Sequence, residues 1–351
     1  MLIDTHTHFY DEWLLPDAEE AISRALSAGV SKMIQADVDS TERPAMWAIG
    51  QKHPGVIFQM LGLYPGSVDS NWQEELDQVH HIASADRQAL GTLDQVHHQK
   101  ADQVHHIASA ARQTSGTLDQ VQHIASADRQ TSGTLDQVQP TKTDQVRHPN
   151  QPQTANHPQT ANHPQTTTHT HTPKTDFINM PERFVAIGEI GLDYHEGKEF
   201  AKEQKEVLRL QFELAAKMNL PVNIHLRDAW EDFFAVIEDC RHLHLRGNLH
   251  CFTASYEIYE RANKWADFSV GIGGVVTFKN SNLAKTLERI PMEKILLETD
   301  APYLAPVPWR GRRNESAYLP IIAEKVAQIK GLSIDETADI TTRNAEILFG
   351  I

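Results

Sequence analysis

The chain has 351 residues, of which 40% are hydrophobic and 23% charged, proportions typical of a globular protein. Its net charge of −15 argues against a protein that coats duplex DNA or an anionic membrane, but not against an enzyme that takes one strand end into a local site. Two cysteines, Cys240 and Cys251, are too few for a disulfide framework. Because the sequence has no apolar run of about 18 residues and no leader-like N-terminus, we expect a cytoplasmic protein with no membrane span and no obligate protein partner.

The first 82 residues alternate between strand and helix patterns. Short apolar runs predict strands at residues 2–6, 32–37 and 57–63. An amphipathic pattern predicts a helix at 18–28, and a further helix is predicted to begin near Trp72. Strands that alternate with helices in this way indicate a parallel sheet.

Residues 83–175 differ from the rest of the chain. The unit HIASADRQALGTLDQVH begins at His81 and returns in near-identical form at His106 and His123. The stretch lacks Phe, Tyr and Trp and is rich in His, Gln and Thr, so it offers too little apolar area to offset its chain entropy. Its repeats are also shorter and more polar than those of a solenoid. We therefore predict a disordered insertion in or just after the third helix.

The remaining sequence, 176–351, resumes the alternation. Strands are predicted at 184–192, 222–226, 248–252, 268–275 and 295–298, and helices at 199–219, 229–240, 256–265, 283–290 and 319–330. Together with residues 1–82 this makes eight strands in about 250 residues, the usual size of one barrel. The sequence thus predicts an α/β fold, a single (β/α)8 TIM barrel interrupted by the insertion after strand 3 and helix 3.

The first candidate site is Asp4-Thr5-His6-Thr7-His8. His6 and His8 lie two residues apart at the end of a predicted strand, so both side chains face the same way. Two imidazoles on one face suit a divalent cation. The spacing alone is a modest signal, because His169 and His171 repeat it within low-complexity sequence.

Four further polar residues strengthen the signal from this pair. In a barrel of this kind, polar residues at the carboxyl ends of the strands meet at one mouth. The predicted ends of strands four, five, six and eight carry, in turn, Glu189, His225, His250 and Asp300. Four imidazoles and two carboxylates match the ligand count of two metals that share a bridging carboxylate. Asp193 and Glu298 are interpreted as capping or ion-pair residues outside this set.

Several motifs of the chain resemble those of the TatD family of metal-dependent hydrolases, often described as TatD-type DNases, within the amidohydrolase-like barrels. These motifs are DTHTHF, GEIGLDY, PVNIHLRDA, LHCFTAS, GIGGVVTF and LLETDAPYLAP. The resemblance covers nearly all of residues 1–76 and 177–351. It implies a divalent-metal-dependent deoxyribonuclease that trims 3′ ends by means of a metal-activated water.

The resemblance also implies roles for individual residues. His6, His8, Glu189 and Asp300 would hold one cation, and Glu189, His225 and His250 the second, with Glu189 bridging. The catalytic residues would be Glu189 and Asp300, the latter also accepting a proton. The sequence does not choose between Mg²⁺, Mn²⁺ and Zn²⁺ for the two cations.

Substrate contacts are expected around the same mouth. Arg227 and Arg310, with Arg312 and Arg313 nearby, could hold phosphate, although surface ion pairing is an equal alternative. Many family members have histidine where this chain has Tyr64 and Trp309, two positions near the substrate. DNA, taken at its strand ends, is the expected partner.

Two alternatives stay open at this point. The same barrel could hydrolyse another ester, an amide or a C–N bond, because fold does not fix the reaction. The chain could also be a non-catalytic protein that binds metals or a partner through its histidine-rich insertion. Activity on phosphodiesters against other substrates, and the metal content of the insertion, distinguish these possibilities.

Overall fold

The computed structural model describes residues 1–85, 183–195 and 197–351. Within them one parallel sheet of eight strands runs in the order of the chain, each strand pairing with the next. Its strands are β1 Leu2–Thr7, β2 Val30–Gln35, β3 Ile57–Leu61, β4 Ala186–Asp193, β5 Val222–Arg227, β6 Arg246–Leu249, β7 Asp267–Ile272 and β8 Ile295–Leu297.

The segment after β8 returns to β1 and closes the sheet into a barrel. A parallel bridge joins Thr7 to Ala301, and the His8 N–H donates to the Ala301 carbonyl at 2.8 Å. The buried carboxylate of Asp4 accepts bonds from the Thr299 N–H and hydroxyl at 2.9 and 2.6 Å. The first and last strand ends are therefore fixed side by side, as a (β/α)8 TIM barrel requires.

Helices follow the strands and form the outer layer. Within the described residues they are α1 Ala18–Ser27, α2 Arg43–Lys52, α3 at 72–85, α4 Ala201–Met218, α5 Trp230–Asp239, α6 Tyr256–Ala262, α7 Leu283–Arg289, α8 Leu319–Lys330 and α9 Ile334–Phe349. The last helix begins with a capping box in which Ser333 and Glu336 satisfy each other's backbone N–H groups.

Apolar side chains fill the space between the strands and the helices. Large residues such as Phe212, Phe233 and Phe268 are fully buried there. A second cluster joins Ile34 of β2 to Phe349 of α9. Buried polar residues also lie in the strands or just after them, among them Asn223, Asn248, Glu298 and His6. In a barrel of this kind, polar residues near the carboxyl ends of the strands form the functional site.

The predicted barrel of eight strands is confirmed, with differences at the ends of elements. The predictions for the second, third, sixth and seventh strands extend past the observed ends by two or three residues. Two helices, α2 and α9, have no counterpart among the helices predicted from the sequence. Helix α3 begins at residue 72 as predicted and runs to residue 85, with Ala83 buried, so the predicted start of the insertion falls inside this helix.

Most of the predicted insertion, including the His169-Thr170-His171 pattern, lies outside the described residues. Its predicted disorder therefore stays a prediction. Among the residues that the model describes, no helix is both long enough and apolar enough to cross a membrane.

Candidate metal centre

The barrel brings the six predicted ligands together at one end. They come from five different strands or from the residues that directly follow them, and all six are buried or nearly so: His6, His8, Glu189, His225, His250 and Asp300. Glu189 lies within β4 instead of at its end, which is occupied by Asp193. The fold therefore brings the six predicted ligands together, as the sequence analysis expected.

One group of close contacts lies between Glu189 and the two histidines at the end of β1, His6 and His8. The Nε2 atoms of His6 and His8 are 3.0 Å apart, and His6 Nε2 lies 3.2 Å from Glu189 Oε2. His8 Nε2 lies 3.7 Å from the same carboxylate oxygen and 3.6 Å from Asp300 Oδ1. Two imidazole nitrogens and two carboxylate oxygens therefore face one small volume.

The other two histidines adjoin this volume. The His250 ring stacks on that of His6 with centroids 3.5 Å apart, and its Nε2 lies 3.8 Å from Asp300 Oδ1. On the far side of Glu189, the other carboxylate oxygen lies 3.0 Å from His225 Nδ1 and 3.7 Å from His250 Nε2. Glu189 therefore has one oxygen toward His6 and His8 and one toward His225 and His250, so it would be able to contact two cations.

The second ring nitrogens of His6 and His8 each have a buried partner. His6 Nδ1 lies 3.1 Å from Asn223 Oδ1, and His8 Nδ1 lies 2.8 Å from the Tyr10 hydroxyl. The Tyr10 hydroxyl donates its own hydrogen to the Ala36 carbonyl at 2.6 Å, so its oxygen must accept from His8. In the neutral form of each ring these partners place the proton on Nδ1, which leaves the Nε2 atom as the one that can bind a cation.

His250 also has an acidic partner. Its Nδ1 lies 3.0 Å from Glu298 Oε1, and the same carboxylate accepts the Cys251 N–H at 2.5 Å. Glu298 needs a glycine next to it, because a Cβ on Gly271 would lie 1.9 Å from Glu298 Oε2. The sequence analysis interpreted Glu298 as a capping or ion-pair residue, and the structure shows that its ion-pair partner is His250.

His225 is held at both nitrogens. Opposite the Glu189 contact, its Nε2 lies 2.8 Å from Asp193 Oδ2. The Tyr64 hydroxyl donates to that same oxygen at 3.4 Å, and its ring meets His225 edge-on at 5.0 Å. Tyr64 therefore adjoins the site through its contacts with Asp193 and His225.

The electrostatic balance favours ionised carboxylates and a neutral His6. Burial acts to raise the pKa of Glu189, but the neighbouring histidines outweigh it and hold the pKa well below its ordinary value. The pKa of Asp300 is lowered in the same way, against its burial, chiefly by His250. Burial lowers the pKa of His6. Ionised carboxylates and neutral imidazoles are the forms that bind metals.

Unlike the pKa of His6, the pKa values of His225 and His250 are raised. Burial acts to lower both pKa values, but Asp193 and Glu189 raise the pKa of His225 to about 9. Glu298 and Asp300 raise the pKa of His250 to about 10. Protons therefore compete with cations for these two nitrogens at neutral pH, and a bound cation would have to displace them.

The donor set fits divalent cations. Two lone pairs that face each other at 3.0 Å repel unless a cation or a proton lies between them, and the Nδ1 partners of His6 and His8 create this situation. Three groups have donor atoms all within 4.8 Å of one another: His6 with His8 and Glu189, His6 with His250 and Asp300, and Glu189 with His225 and His250. Imidazole and carboxylate donors suit Zn²⁺ and Mn²⁺, and the carboxylates also suit Mg²⁺.

The arginines that were predicted to bind phosphate differ in their surroundings. Arg227 ends β5 with an exposed side chain. The guanidinium of Arg310 lies 4.4 Å above the Phe278 ring, and that of Arg312 lies 5.6 Å from the Trp309 ring. Arg313 is instead engaged in the structure, because it pairs with Asp17 and donates to the Trp13 carbonyl.

Sequence reasoning did not identify the residues behind the ligands. Asn223 precedes His225 by two positions in β5, so strand alternation could have placed it on the same face. Tyr10 similarly follows His8 by two positions. Asp193 and Glu298 were recognised as acidic but not as partners of His225 and His250, because those contacts join different strands.

Comparisons with known proteins identify the family of the chain. The model of the family described as TatD related DNase matches residues 3–149 and 152–350. A Bacillus subtilis protein named as the uncharacterized metal-dependent hydrolase YabD is 45% identical over 175 residues, which are 50% of this chain and 68% of that protein. A protein of Escherichia fergusonii named 3'-5' ssDNA/RNA exonuclease TatD is 39% identical over 173 residues, 48% of this chain and 66% of that one. The aligned stretches thus span about two thirds of the length of these relatives.

Solved structures share the fold. The crystal structure of YjjV, a TatD homologue from Escherichia coli K12, superposes with a TM-score of 0.67 at 20% identity, covering 100% of this chain and 98% of that one. A TatD family hydrolase from Entamoeba histolytica gives 0.65 at 17% identity, with 99% and 97% covered. With a family model that matches almost the whole sequence, the chain belongs to the TatD related DNase family of metal-dependent hydrolases.

Proposed function

We propose that this protein is a deoxyribonuclease that hydrolyses phosphodiester bonds at the 3′ ends of DNA strands with the help of divalent cations. The observation that carries the proposal is the close approach of His6 Nε2 and His8 Nε2, 3.0 Å apart, beside the buried carboxylate of Glu189. A buried set of donors with this chemistry suits a cation better than it suits a structural role. The name of the Escherichia fergusonii relative, 3'-5' ssDNA/RNA exonuclease, supports the choice of substrate.

Two cations are proposed for this site. His6, His8, Glu189 and Asp300 would hold one, and Glu189, His225 and His250 would hold the other. When bound, such cations supply a lowered pKa for water and neutralise charge on phosphoryl oxygens.

The protein's own residues would orient the substrate and take up the proton. Asp300 lies at the barrel mouth with its carboxylate ionised, so it can accept a proton from the attacking water. Glu189 holds the two halves of the site together through its separate oxygens. Arg227 and Arg310 are proposed to contact phosphate, and Tyr64 to contact substrate beside His225.

Capture of a strand end fits the charge of the molecule. A net charge of −15 disfavours contact with many phosphates along a duplex, because such binding depends on many lysine and arginine contacts. A local site with a few arginines would need only the terminal nucleotides. We therefore propose single-stranded ends as the preferred substrate.

A substrate comparison tests the proposed function. The protein, treated with chelator and then supplied with Mg²⁺, Mn²⁺ or Zn²⁺, is assayed on 5′-labelled single- and double-stranded oligonucleotides and on amide and lactone substrates. We expect stepwise shortening from the 3′ end that stops with chelator and returns with metal. Asp300→Asn should lower turnover at least about a hundredfold, as removal of a general base does.

The matched control is Asp239→Asn, a substitution of the same kind at an exposed position of α5. It should leave turnover unchanged. Metal-dependent hydrolysis of an amide or a lactone without any shortening of DNA would refute the nuclease proposal and favour another reaction on the same barrel.

A further inference from the structure

Beside the metal centre, the structure presents two exposed aromatic side chains on loops that follow β1 and β8. We propose that Trp13 and Tyr303 form a stacking platform for an unpaired base at the end of the DNA strand, an inference that rests on the proposed nuclease function. The two rings lie 6.0 Å apart at an angle of 51°. We call this pair the aromatic platform.

Trp13 is exposed but not loosely held. More than half of its surface, 56%, is open to solvent, although tryptophan is on average among the well-buried residues. Its backbone N–H donates to Asp11 Oδ1 at 2.8 Å, and its carbonyl accepts from Arg313 at 2.8 Å. Its neighbour Leu14 is fully buried and anchors the loop. The ring is thus presented on a fixed backbone.

Tyr303 is fixed in the same manner. Its hydroxyl donates to Asp11 Oδ2 at 2.6 Å, so a single carboxylate holds both members of the platform. Its N–H donates to the Asp300 carbonyl at 2.7 Å, and its own carbonyl accepts from the Asn314 side chain at 2.6 Å. These bonds keep the ring in place although 44% of the residue is exposed.

The platform adjoins the site of the proposed chemistry. The Tyr303 ring lies 6.2 Å from that of His8, and Tyr303 follows the proposed ligand Asp300 by three residues. A base stacked there would belong to the nucleotide at, or next to, the bond that is cleaved. Loops after the strands of a barrel are where substrate contacts are built.

A nucleobase is the occupant that matches this chemistry. Exposed, pre-positioned aromatic rings stack on any base, because every base has a π-face, and each stacked base contributes about 1–3 kcal/mol to binding. The phosphates need not follow a basic groove, which agrees with the acidic composition of the chain. Such a platform would select unpaired ends over paired ones without reading sequence.

The test compares a DNA substrate that has its terminal bases with one that lacks them. Trp13→Ala, in the full chain loaded with Mg²⁺ or Mn²⁺, is assayed on oligothymidylate and on the same oligonucleotide with abasic terminal nucleotides. We expect KM for the normal substrate to rise about 10- to 100-fold with kcat changed less than about threefold, because stacking adds binding that is equal in ground and transition states. The wild-type protein should already have this raised KM on the abasic substrate, and Trp13→Ala should not raise it further.

Three further variants separate stacking from other effects. Trp13→Phe keeps an aromatic face and should restore most of the affinity, whereas Trp13→Leu keeps apolar bulk without one and should not. Leu15→Ala removes exposed apolar surface two residues away on the same loop and should have no effect. Thermal melting and metal content, measured on every variant, should match the wild type.

Binding is also measured without turnover, by fluorescence anisotropy of dye-labelled oligothymidylate in the presence of chelator. If the wild type shortens DNA but Trp13→Ala has an unchanged KM and unchanged discrimination against abasic ends, the platform is refuted and the nuclease proposal survives. If the wild type shortens no DNA, the nuclease proposal fails, and the platform then stands only if Trp13→Ala weakens base-dependent binding about tenfold. If the wild type neither shortens DNA nor shows base-dependent binding, both the nuclease proposal and the platform proposal are refuted.

Discussion

At the scale of single residues, the site shows which part of a metal centre a sequence can predict. The six candidate ligands could be predicted because they lie in the strands or in the residues that follow them, and the barrel brings these positions together at one end. Strand alternation could have placed Asn223 on the face of the site, but it could not pair Asn223 with His6 or Tyr10 with His8, because these contacts depend on which nitrogen of each ring turns inward. That choice is made by hydrogen bonds across the barrel, for which one sequence carries no pattern.

Tyr10→Phe tests the role of these partners. Without the hydroxyl, the Nδ1 proton of His8 loses its acceptor, so the ring no longer has its Nε2 lone pair fixed toward Glu189. We expect metal affinity to fall about 10- to 100-fold, the usual effect of removing such a partner, with little change in melting temperature. Titration against a chelating dye measures the affinity.

The control for this prediction is Tyr259→Phe, which removes the hydroxyl of another buried tyrosine, on α6. It should leave metal affinity unchanged. Equal affinities for Tyr10→Phe and wild type would mean that the tautomer of His8 is set by something other than Tyr10.

At the scale of elements, the strands were predicted well because their apolar runs are nearly continuous. The predicted ends are less accurate, because apolar residues such as Leu63, Phe252 and Val275 continue into the loops beyond. Helix α2 was missed since Pro44 and Gly50 dilute its pattern. Gly50 is needed there, because a Cβ at that position would lie 1.7 Å from the side chain of Gln59 in β3.

Helix α2 also begins at a buried ion pair that joins three elements. Arg43 Nε donates to Asp37 Oδ2 at 2.8 Å, and the same oxygen accepts the Gly62 N–H at 3.1 Å. Both charged residues are buried. Burial raises the pKa of Asp37 from 3.8 to about 6, against the opposing attraction of Arg43.

Arg43→Met should therefore destabilise the protein in a pH-dependent way. Because the folded state binds the Asp37 proton more tightly than the unfolded chain does, ionisation of Asp37 costs stability as pH rises from about 4 to about 6. Loss of Arg43 removes the attraction that lowers this pKa, so the cost grows and extends to higher pH. We expect a loss of about 3–5 kcal/mol in the free energy of unfolding at pH 8 and a clearly smaller loss at pH 5.

Denaturant unfolding at the two pH values measures this difference. Arg209→Met is the matched control, since Arg209 pairs with Glu206 and Glu213 on the surface of α4. Its loss should stay below about 1 kcal/mol at either pH. An Arg43→Met protein that loses the same free energy at both pH values would contradict the account of Asp37.

At the scale of the whole molecule, two separated stretches of sequence form one barrel. Strands β3 and β4 are neighbours in the sheet although Leu61 and Ala186 are far apart in sequence. This division of the barrel into two stretches could be predicted from the sequence. The intervening stretch lacks aromatic residues and repeats itself, and its removal leaves a chain of barrel size. Loop-closure cost grows slowly with length, so a barrel tolerates such an insertion.

Replacement of residues 86–182 by a flexible Gly/Ser linker should therefore leave the barrel intact. The linker begins after residue 85 because α3 extends that far. We expect an unchanged melting temperature, unchanged metal content and unchanged specific activity. A control variant cut after Leu76 should lose stability, because it removes the buried Val79, Ile82 and Ala83 of α3. If the first variant does not fold, the replaced segment is part of the structure.

The central claim is that the six converging residues hold divalent cations in catalysis, and the most direct test is the metal content of the whole protein. Elemental analysis after metal loading and gel filtration is carried out on the wild type, on Glu189→Gln and on Glu19→Gln, a surface substitution of the same kind on α1. We predict two divalent cations per wild-type and Glu19→Gln chain, and fewer in Glu189→Gln together with loss of most activity. Unchanged metal content and full activity in Glu189→Gln would contradict the account.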